Sequence, residues 1–470
     1  MPTRRQFLRG GVSASAVALS ACRSLDRIVL GEYREDAERV TIIGAGLAGL
    51  MAAYELKRRQ IPFQVYEASG RIGGRLYTVP DFAKDQSMCE LGAEWFDSSQ
   101  KLVFQMAQEL RVDILEGQDM THNLKFVADD RLRLIGALHA DFSRLQKIAV
   151  KEHSGTELSE QSLQAWINIH SADQTVRDLV QEWSFERYGT AASELAAARF
   201  VNGLRAGSSP LANWTDQRFR FRNGASNFTR AFYDRVAGFE PEKTFVLSHR
   251  LKGIRLRPRG YELYFETPQG EVSFVTRAVI CTIPAAALKE VEGITELPAP
   301  WEHPEEFKMG GHGKVLFLYD QRFWLPTLDR NRISPFQPQQ SLWEASVRES
   351  PVVPFKQGVL AWQVGGSKAA DLGPQSLAVV KSELAKFFKS EAANSPVDEV
   401  LFNWPLSRNF GGSVSYPSVK QKAGVWRSHG FWQWAGEHTS GSWRGTMQGA
   451  LLSAQAAVEQ MVFARQLQVQ

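Results

Sequence analysis

Six consecutive residues, Gly44-Ala45-Gly46-Leu47-Ala48-Gly49, have the composition of a phosphate cradle. The apolar run Val40-Thr41-Ile42-Ile43 precedes them, and a stretch with helix-like apolar spacing, Leu47 to Arg59, follows. The glycines therefore fall where a strand turns into a helix. Gly44 permits the tight turn, Gly46 lets a pyrophosphate approach the backbone, and Gly49 lets helix and strand pack closely. The first amides of the helix, unpaired within it, face the phosphates. Ile61-Pro62 ends the helix, and Phe63-Gln64-Val65-Tyr66 reads as a second strand. Glu67 follows that strand, 18 residues after Gly49, and can accept hydrogen bonds from ribose hydroxyls. The unit is strand–helix–strand, expected to be parallel and right-handed.

This fingerprint serves NAD and FAD alike, and the next segments separate them. Glu67-Ala68-Ser69-Gly70-Arg71-Ile72-Gly73-Gly74-Arg75 resembles the segment after the ribose acid in the FAD-dependent amine oxidase superfamily, which includes monoamine, polyamine and L-amino-acid oxidases. Gly74 allows close backbone approach, and Arg75 can neutralise a phosphate. The resemblance continues in order along the chain. Gly92-Ala93-Glu94-Trp95 is similar to the segment beside the flavin ring, and Leu251 falls on the strand whose backbone meets the adenine. Phe221-Arg222-Asn223-Gly224-Ala225 and Thr282-Ile283-Pro284 also match. Near the C-terminus, Gly436-Glu437 and Gly445-Thr446-Met447 complete the set. The resemblance implies that Glu437 approaches the pyrophosphate–ribityl region. It also implies that Met447 opens a helix aimed at the pyrimidine end of the flavin, where negative charge develops on reduction.

By the same resemblance, Lys314 in Gly313-Lys314-Val315-Leu316-Phe317 is the catalytic candidate, holding a water against the reactive flavin nitrogen. Without it, a lysine opening a strand is usually just solvated. Tyr416 is the candidate for one aromatic wall of the substrate site, and Trp443 for a nearby contact; either could equally be core. The opposite wall falls at Thr446, where monoamine oxidases carry an aromatic residue, so the pattern departs from a two-ring cage. Ser413 follows Gly411-Gly412 where some monoamine oxidases carry a flavin-linking cysteine, so FAD is expected to bind non-covalently.

Composition bounds these readings. The 470 residues are 43% apolar and 23% charged, with 13 Trp and 28 Phe, as in a globular protein of two or three domains. Lys plus Arg number 55 against 51 Asp plus Glu, and Arg4, Arg5 and Arg9 supply most of the excess, so no basic surface suggests nucleic acid. His-Glu-x-x-His and Walker patterns are absent, and the nine histidines form no ligand spacing, so no metal is expected.

Thr3-Arg4-Arg5-Gln6-Phe7-Leu8 and the small apolar run from Gly10 to Ala21 have the layout of an export signal, and the Arg pair resembles a twin-arginine signal. The apolar run is shorter than the ~20 residues of a spanning helix; an uncleaved N-terminal anchor is the alternative. Leu19-Ser20-Ala21-Cys22 resembles a lipobox, with a plain cleavage site as its alternative. The expectation is export by the twin-arginine machinery to the periplasm or to a lipid anchor on Cys22, with 23–38 as a tether. Cys89 and Cys281, both in apolar contexts, are expected as buried free thiols.

The expected fold is α/β: a Rossmann-type FAD domain (39–96, 215–295 and 400–465) interleaved with a substrate domain of mixed sheet and helices (97–214 and 296–399) after the 1–22 signal. The expected reaction is oxidation of a small-molecule amine through FAD to oxygen. A desaturase or dehydrogenase of the same fold using another acceptor, and a non-catalytic FAD-binding envelope protein, are the alternatives.

Overall fold

A computed structural model describes residues 39–79, 82, 88–117, 124–128, 131–152, 156–207, 209–297, 308–328, 332–345, 356–419, 426 and 428–469. The export signal and tether read in 1–38 lie outside the described residues.

The apolar run becomes the central strand Val40–Ile43 of a five-stranded parallel sheet, flanked by Ala278–Cys281 and Phe63–Tyr66, with Trp432–Trp434 and Phe245–Val246 at the edges. A strand buried on both faces is mostly apolar, and the polar residue of Val40–Ile43, Thr41, is buried with its hydroxyl bonded to that of Thr276 at 2.9 Å. Helix Leu47–Arg58 leaves the glycine turn and packs between Ala225–Ala237 and the closing helix Met447–Val469. A three-stranded antiparallel sheet, Arg250–Arg257, Gly260–Thr267 and Gly270–Thr276, lies against this layer, with a bulge between Leu251 and Gly253.

The second layer system is a seven-stranded mixed sheet. Its strands run, in order, Asp398–Asn403, His312–Tyr319, Gly358–Gly365, Gln340–Glu344, Arg332–Gln337, Leu124–Ala128 and Arg131–Leu134. Only the Arg332–Gln337 and Leu124–Ala128 pair is parallel. Helices between 139 and 206 form a lobe around Trp166, Trp183, Phe200 and Trp214. The fold is the interleaved α/β arrangement that the sequence leads one to expect.

Several boundaries shift. Asp398–Asn403 pairs with the lysine strand, so residues 400–403 go with the substrate-side sheet rather than the FAD domain. Arg277 separates the strands Gly270–Thr276 and Ala278–Cys281, which belong to different sheets. Thr156–Glu160 and Leu163–His170 are separate helices because Ser162 caps the second, its hydroxyl accepting from the Ala165 amide at 3.1 Å. The strand Arg332–Gln337 has its register broken between Ile333 and Gln337, where a sheet tolerates proline. Cys89 and Cys281 are buried, and neither is in a disulfide among the described residues.

Candidate active site

One elongated cleft starts at the C-terminal end of the parallel sheet and runs to the face of the seven-stranded sheet. At the first end, Glu67 accepts from the Ala45 amide (2.7 Å), the Ser69 amide (2.8 Å) and the Ser69 hydroxyl (2.7 Å). The carboxylate is thereby fixed at the lip of the glycine turn. Gly44, Gly46, Leu47, Ala48, Ala68 and Gly74 line the cleft beside it. Ala45 and Gly49 do not; Ala45 aims Glu67, and Gly49 packs.

Two glycines here are kept for different reasons. A Cβ on Gly49 would sit 1.8 Å from the Gly44 carbonyl oxygen, so the turn itself forbids a side chain. A Cβ on Gly46 would meet only the Gly74 Cα, at 3.9 Å, and the Gly46 backbone is extended, so the protein's own packing tolerates one. What excludes it is whatever fills the space between Gly46 and Gly74. The helix behind has no side-chain cap and no acid in its first turn, leaving amides directed at that space. These features fit a dinucleotide pyrophosphate. His249, Arg250 and Leu251 line the cleft along one side, where the adenosine half would lie.

Further along, Arg75 departs from its expected role. Its guanidinium bonds Glu437 at 2.5 Å and the Ser413 carbonyl at 3.1 Å, so it is an ion-pair partner first. Glu437 also accepts from the Gly445 amide (2.7 Å) and from the Ser415 hydroxyl and amide. Burial alone would raise the Glu437 carboxyl, but Arg75 and the Ser415 hydroxyl outweigh it and hold the group at about 2. Glu437 is thus a permanent anion that clamps the Ser413–Ser415 segment to the turn before the closing helix. Gly436, Thr446 and Met447 line the cleft at that helix's N-terminus.

At the other end stands Lys314. Alternation along His312–Tyr319 sends Val315, Phe317 and Tyr319 into the sheet's outer core. His312 and Lys314 take the opposite face, which meets Cys89 and Leu91. Lys314 is 3% exposed, and its ammonium lies 3.3 Å from Glu94 Oε2, 3.5 Å from the Gly92 carbonyl and 4.9 Å from the centre of the Trp343 ring. Glu94 Oε1 accepts from Arg220 (3.1 Å) and Trp343 Nε1 (3.3 Å), and Arg220 lies over the Trp95 ring. Burial lowers the Arg220 guanidinium from its usual value, and Glu94 opposes that. Two buried cations share one carboxylate; deleting Glu94 would cost on the order of 3–5 kcal/mol. Gly92, Ala93 and Trp95 line the cleft next to them.

Sequence reasoning missed most of the surrounding wall. Glu186, Arg187, Arg332, Trp343, Gln363 and Trp404 all line the cleft. Gln363 stands directly opposite Lys314 in strand pairing, a relation visible only once the register is known. His312 also reaches the cleft; burial lowers its imidazole to about 4. The neutral ring can donate only from Nε2, to the Phe185 and Glu186 carbonyls at 2.9 and 3.0 Å, so Nδ1 accepts from the Ser413 hydroxyl at 2.7 Å.

Tyr416 does not line the cleft. It is buried in the helical lobe's core, and the residue of its segment that faces the cleft is Val414. Trp443 likewise stays outside. Val414 and Thr446 line the cleft, and neither is aromatic. Among the described residues, neither Cys89 nor Cys281 lines the cleft.

A dinucleotide-binding sheet joined to a second sheet that brings a buried lysine to the far end of one cleft defines a cofactor-dependent oxidoreductase. The family model "Flavin containing amine oxidoreductase" matches residues 47–462, and the chain belongs to that family. It is an FAD-dependent amine oxidase. The chain is 24% identical to AofH of Mycobacterium tuberculosis, named as a flavin-containing monoamine oxidase, over 90% of this chain and 96% of that one. Among solved structures it shares its fold with cyclohexylamine oxidase from Brevibacterium oxydans (18% identity, TM-score 0.73, covering 92% of this chain and 100% of the other). A putrescine oxidase bound to putrescine superposes similarly (17% identity, TM-score 0.75, 91% and 99%).

Proposed function

We propose that the chain oxidises the C–N bond of an aliphatic amine with polar substituents, and that oxygen is its electron acceptor. A neutral amine loses two electrons and two protons to become an imine, which water hydrolyses; oxygen takes up the two electrons and two protons as hydrogen peroxide. The observation that carries this reading is the buried Lys314–Glu94–Arg220 cluster at the end of a cleft that begins at a pyrophosphate cradle.

FAD supplies the two-electron acceptance that no side chain here offers. The protein does the rest. The two cations and one carboxylate of the cluster leave a surplus positive charge in a water-poor pocket. That charge disfavours the ammonium form of a substrate and leaves the neutral amine, the form that can be oxidised. The N-terminus of helix Met447–Val469 faces the same cleft and favours negative charge gained on reduction. Lys314, with exchangeable protons at Nζ, is the group to assist proton and oxygen chemistry there.

The substrate class follows from the walls. Val414 and Thr446 offer no ring faces, and Glu186, Arg332 and Gln363 line the same cleft together with the rings of Trp343 and Trp404. This favours polyamine-like or amino-acid-like substrates over simple aryl monoamines, and the fold neighbours named for putrescine and cyclohexylamine are consistent with an aliphatic amine. The test is a panel of polyamines, aryl amines and amino acids, following flavin bleaching without oxygen and peroxide with it. Lys314→Met is expected to slow flavin reduction or reoxidation by about 10²-fold with FAD still bound; unchanged kinetics would remove Lys314 from the mechanism.

We further propose export of the folded, FAD-loaded protein through the twin-arginine signal, with Cys22 lipidated. Replacing Arg4 and Arg5 by Lys should leave the protein in the cytoplasm, and fractionation reads the outcome.

A further inference from the structure

Lys314, Gln363, Trp343 and Arg332 come from four neighbouring strands of the seven-stranded sheet. Lys314 is directly opposite Gln363, and Gln363 opposite Ser341. Trp343, two residues along from Ser341, is opposite Arg332. Residues opposite one another, or two apart in a strand, share a face. Lys314, Gln363, Trp343 and Arg332 all line the cleft. The Trp343 ring links the two cations: Lys314 Nζ lies 4.9 Å from its centre and Arg332 Cζ 5.3 Å, so one small molecule can reach both.

The acids of this cleft are occupied. Glu186 accepts from Arg332 through one oxygen and from the Ser334 hydroxyl through the other. Glu94 is shared by Lys314, Arg220 and Trp343. Among the described residues, the other acids lining the cleft are Glu67, fixed at the glycine turn, and Glu437, paired with Arg75. Glu90 and Glu182 lie outside the lining, and burial raises both to about 7. The donors are less fully used. Arg332 is 11% exposed, and its Nε is buried without a hydrogen-bond partner among the described residues. A guanidinium has five N–H groups, so donors remain after the Glu186 pair. The Gln363 side chain also lines the cleft without a hydrogen-bond partner among the described residues.

We propose, on the reading that the chain oxidises amines, that its substrate also carries a carboxylate, and that Arg332 with Gln363 binds that carboxylate while the amine faces Lys314. A diamine would bring a second ammonium to a cleft whose acids already hold cations or backbone amides, and would add donors where donors are in excess. A carboxylate adds the missing acceptor, in charge-assisted bonds to a guanidinium whose planar fork suits it. It also offsets the surplus positive charge of the Lys314–Glu94–Arg220 cluster.

The test uses the full-length, FAD-loaded protein. Calorimetric titration with n-butyrate reads carboxylate binding without turnover. Anaerobic flavin bleaching then compares 2-aminobutyrate and 4-aminobutyrate with n-butylamine and 1,4-diaminobutane. Removing Arg332 alone would leave Glu186 buried and unpaired, so the main variant is Arg332→Gln with Glu186→Gln, its fold checked by retained flavin absorbance. Arg332→Lys, which keeps the charge and loses the fork, is the second. Butyrate binding is expected to weaken by about 10- to 100-fold in the double variant, with an intermediate loss in Arg332→Lys. The kcat/KM for the better aminobutyrate should fall by a similar factor relative to that for n-butylamine. Equal butyrate binding by parent and double variant, or none by either, would overturn the proposal. So would faster bleaching by 1,4-diaminobutane than by both aminobutyrates. Butyrate binding that is lost in the double variant, with no amine bleaching the parent's flavin, would instead overturn the amine-oxidation reading and leave the carboxylate site standing.

Discussion

The two ends of the cleft are built on different principles. At the nucleotide end the protein offers backbone: amides of a helix start, glycines that make room, and Glu67 fixed by its own turn. At the amine end it offers side chains brought from separate strands and helices, with Lys314, Glu94, Arg220 and Trp343 within hydrogen-bond or ring contact of one another. Backbone recognition is local in sequence and tolerates few residue types. Side-chain recognition is assembled by tertiary packing and can be varied position by position.

The largest effects separate the two glycine roles at the nucleotide end. Gly49→Ala drives a methyl against the Gly44 carbonyl oxygen 1.8 Å away, and should destabilise the fold by more than about 3 kcal/mol. Gly46→Ala, with its nearest neighbour at 3.9 Å, should fold normally in thermal melts and yet be purified colourless. If the Gly46 variant held flavin as well as the parent protein, the pyrophosphate would not sit where the cradle indicates.

The same contrast explains what was legible in the sequence. Gly44, Gly46, Leu47, Ala48, Glu67, Gly74, Gly92 and Met447 are legible because each falls in a short motif whose residues reach the cleft together. Tyr416 misleads because it directly follows the two-residue strand Val414–Ser415, and sequence alone does not say which residue of that segment faces the cleft. Arg332, Trp343 and Gln363 carry no local pattern at all. Each lies in a strand of the seven-stranded sheet, and only the pairing of that sheet brings it near Lys314. Arg75 was placed correctly at the cleft, but its partner Glu437 lies 362 residues away, a distance no motif spans.

A smaller effect tests the join between the two ends. Glu90 accepts from the Ala225 amide at 2.7 Å and the Thr78 hydroxyl at 3.0 Å, and burial raises its carboxyl to about 7 despite those bonds. The folded state thus prefers the neutral acid, while the unfolded chain ionises near the ordinary carboxylate value. Stability is undiminished below about pH 4.5, is lost as pH rises toward 7, and stays lost above it, by about 3 kcal/mol in all. Glu90→Gln keeps an acceptor for both bonds but cannot ionise. Its stability relative to the parent should rise by that amount between pH 4.5 and 8 in denaturant titrations, and a flat difference would show that Glu90 is charged in the native state.

At the amine end, restoring aromatic walls should trade one substrate class for another. Val414→Tyr with Thr446→Tyr adds two rings to the lining of the cleft where Val414 and Thr446 now stand. The expected outcome is a shift of about tenfold in the kcat/KM ratio toward aryl amines, about 1.4 kcal/mol of discrimination. A variant with an unchanged ratio would mean that the selectivity lies deeper, with Glu186 and Arg332.

The smallest effect belongs to Tyr416, and it is the sharpest check on which side of the comparison that residue falls. Burial raises its phenol, and the Thr190 hydroxyl is its hydrogen-bond partner in the helical lobe. Tyr416→Phe removes one buried bond and leaves the ring, so it should cost about 1 kcal/mol of stability. Because the ring lies outside the cleft, kcat, KM and the flavin spectrum should stay as they are. A change in KM for amines at unchanged stability would instead return Tyr416 to the substrate wall, and would mean that the lobe carrying it moves toward the cleft when an amine binds.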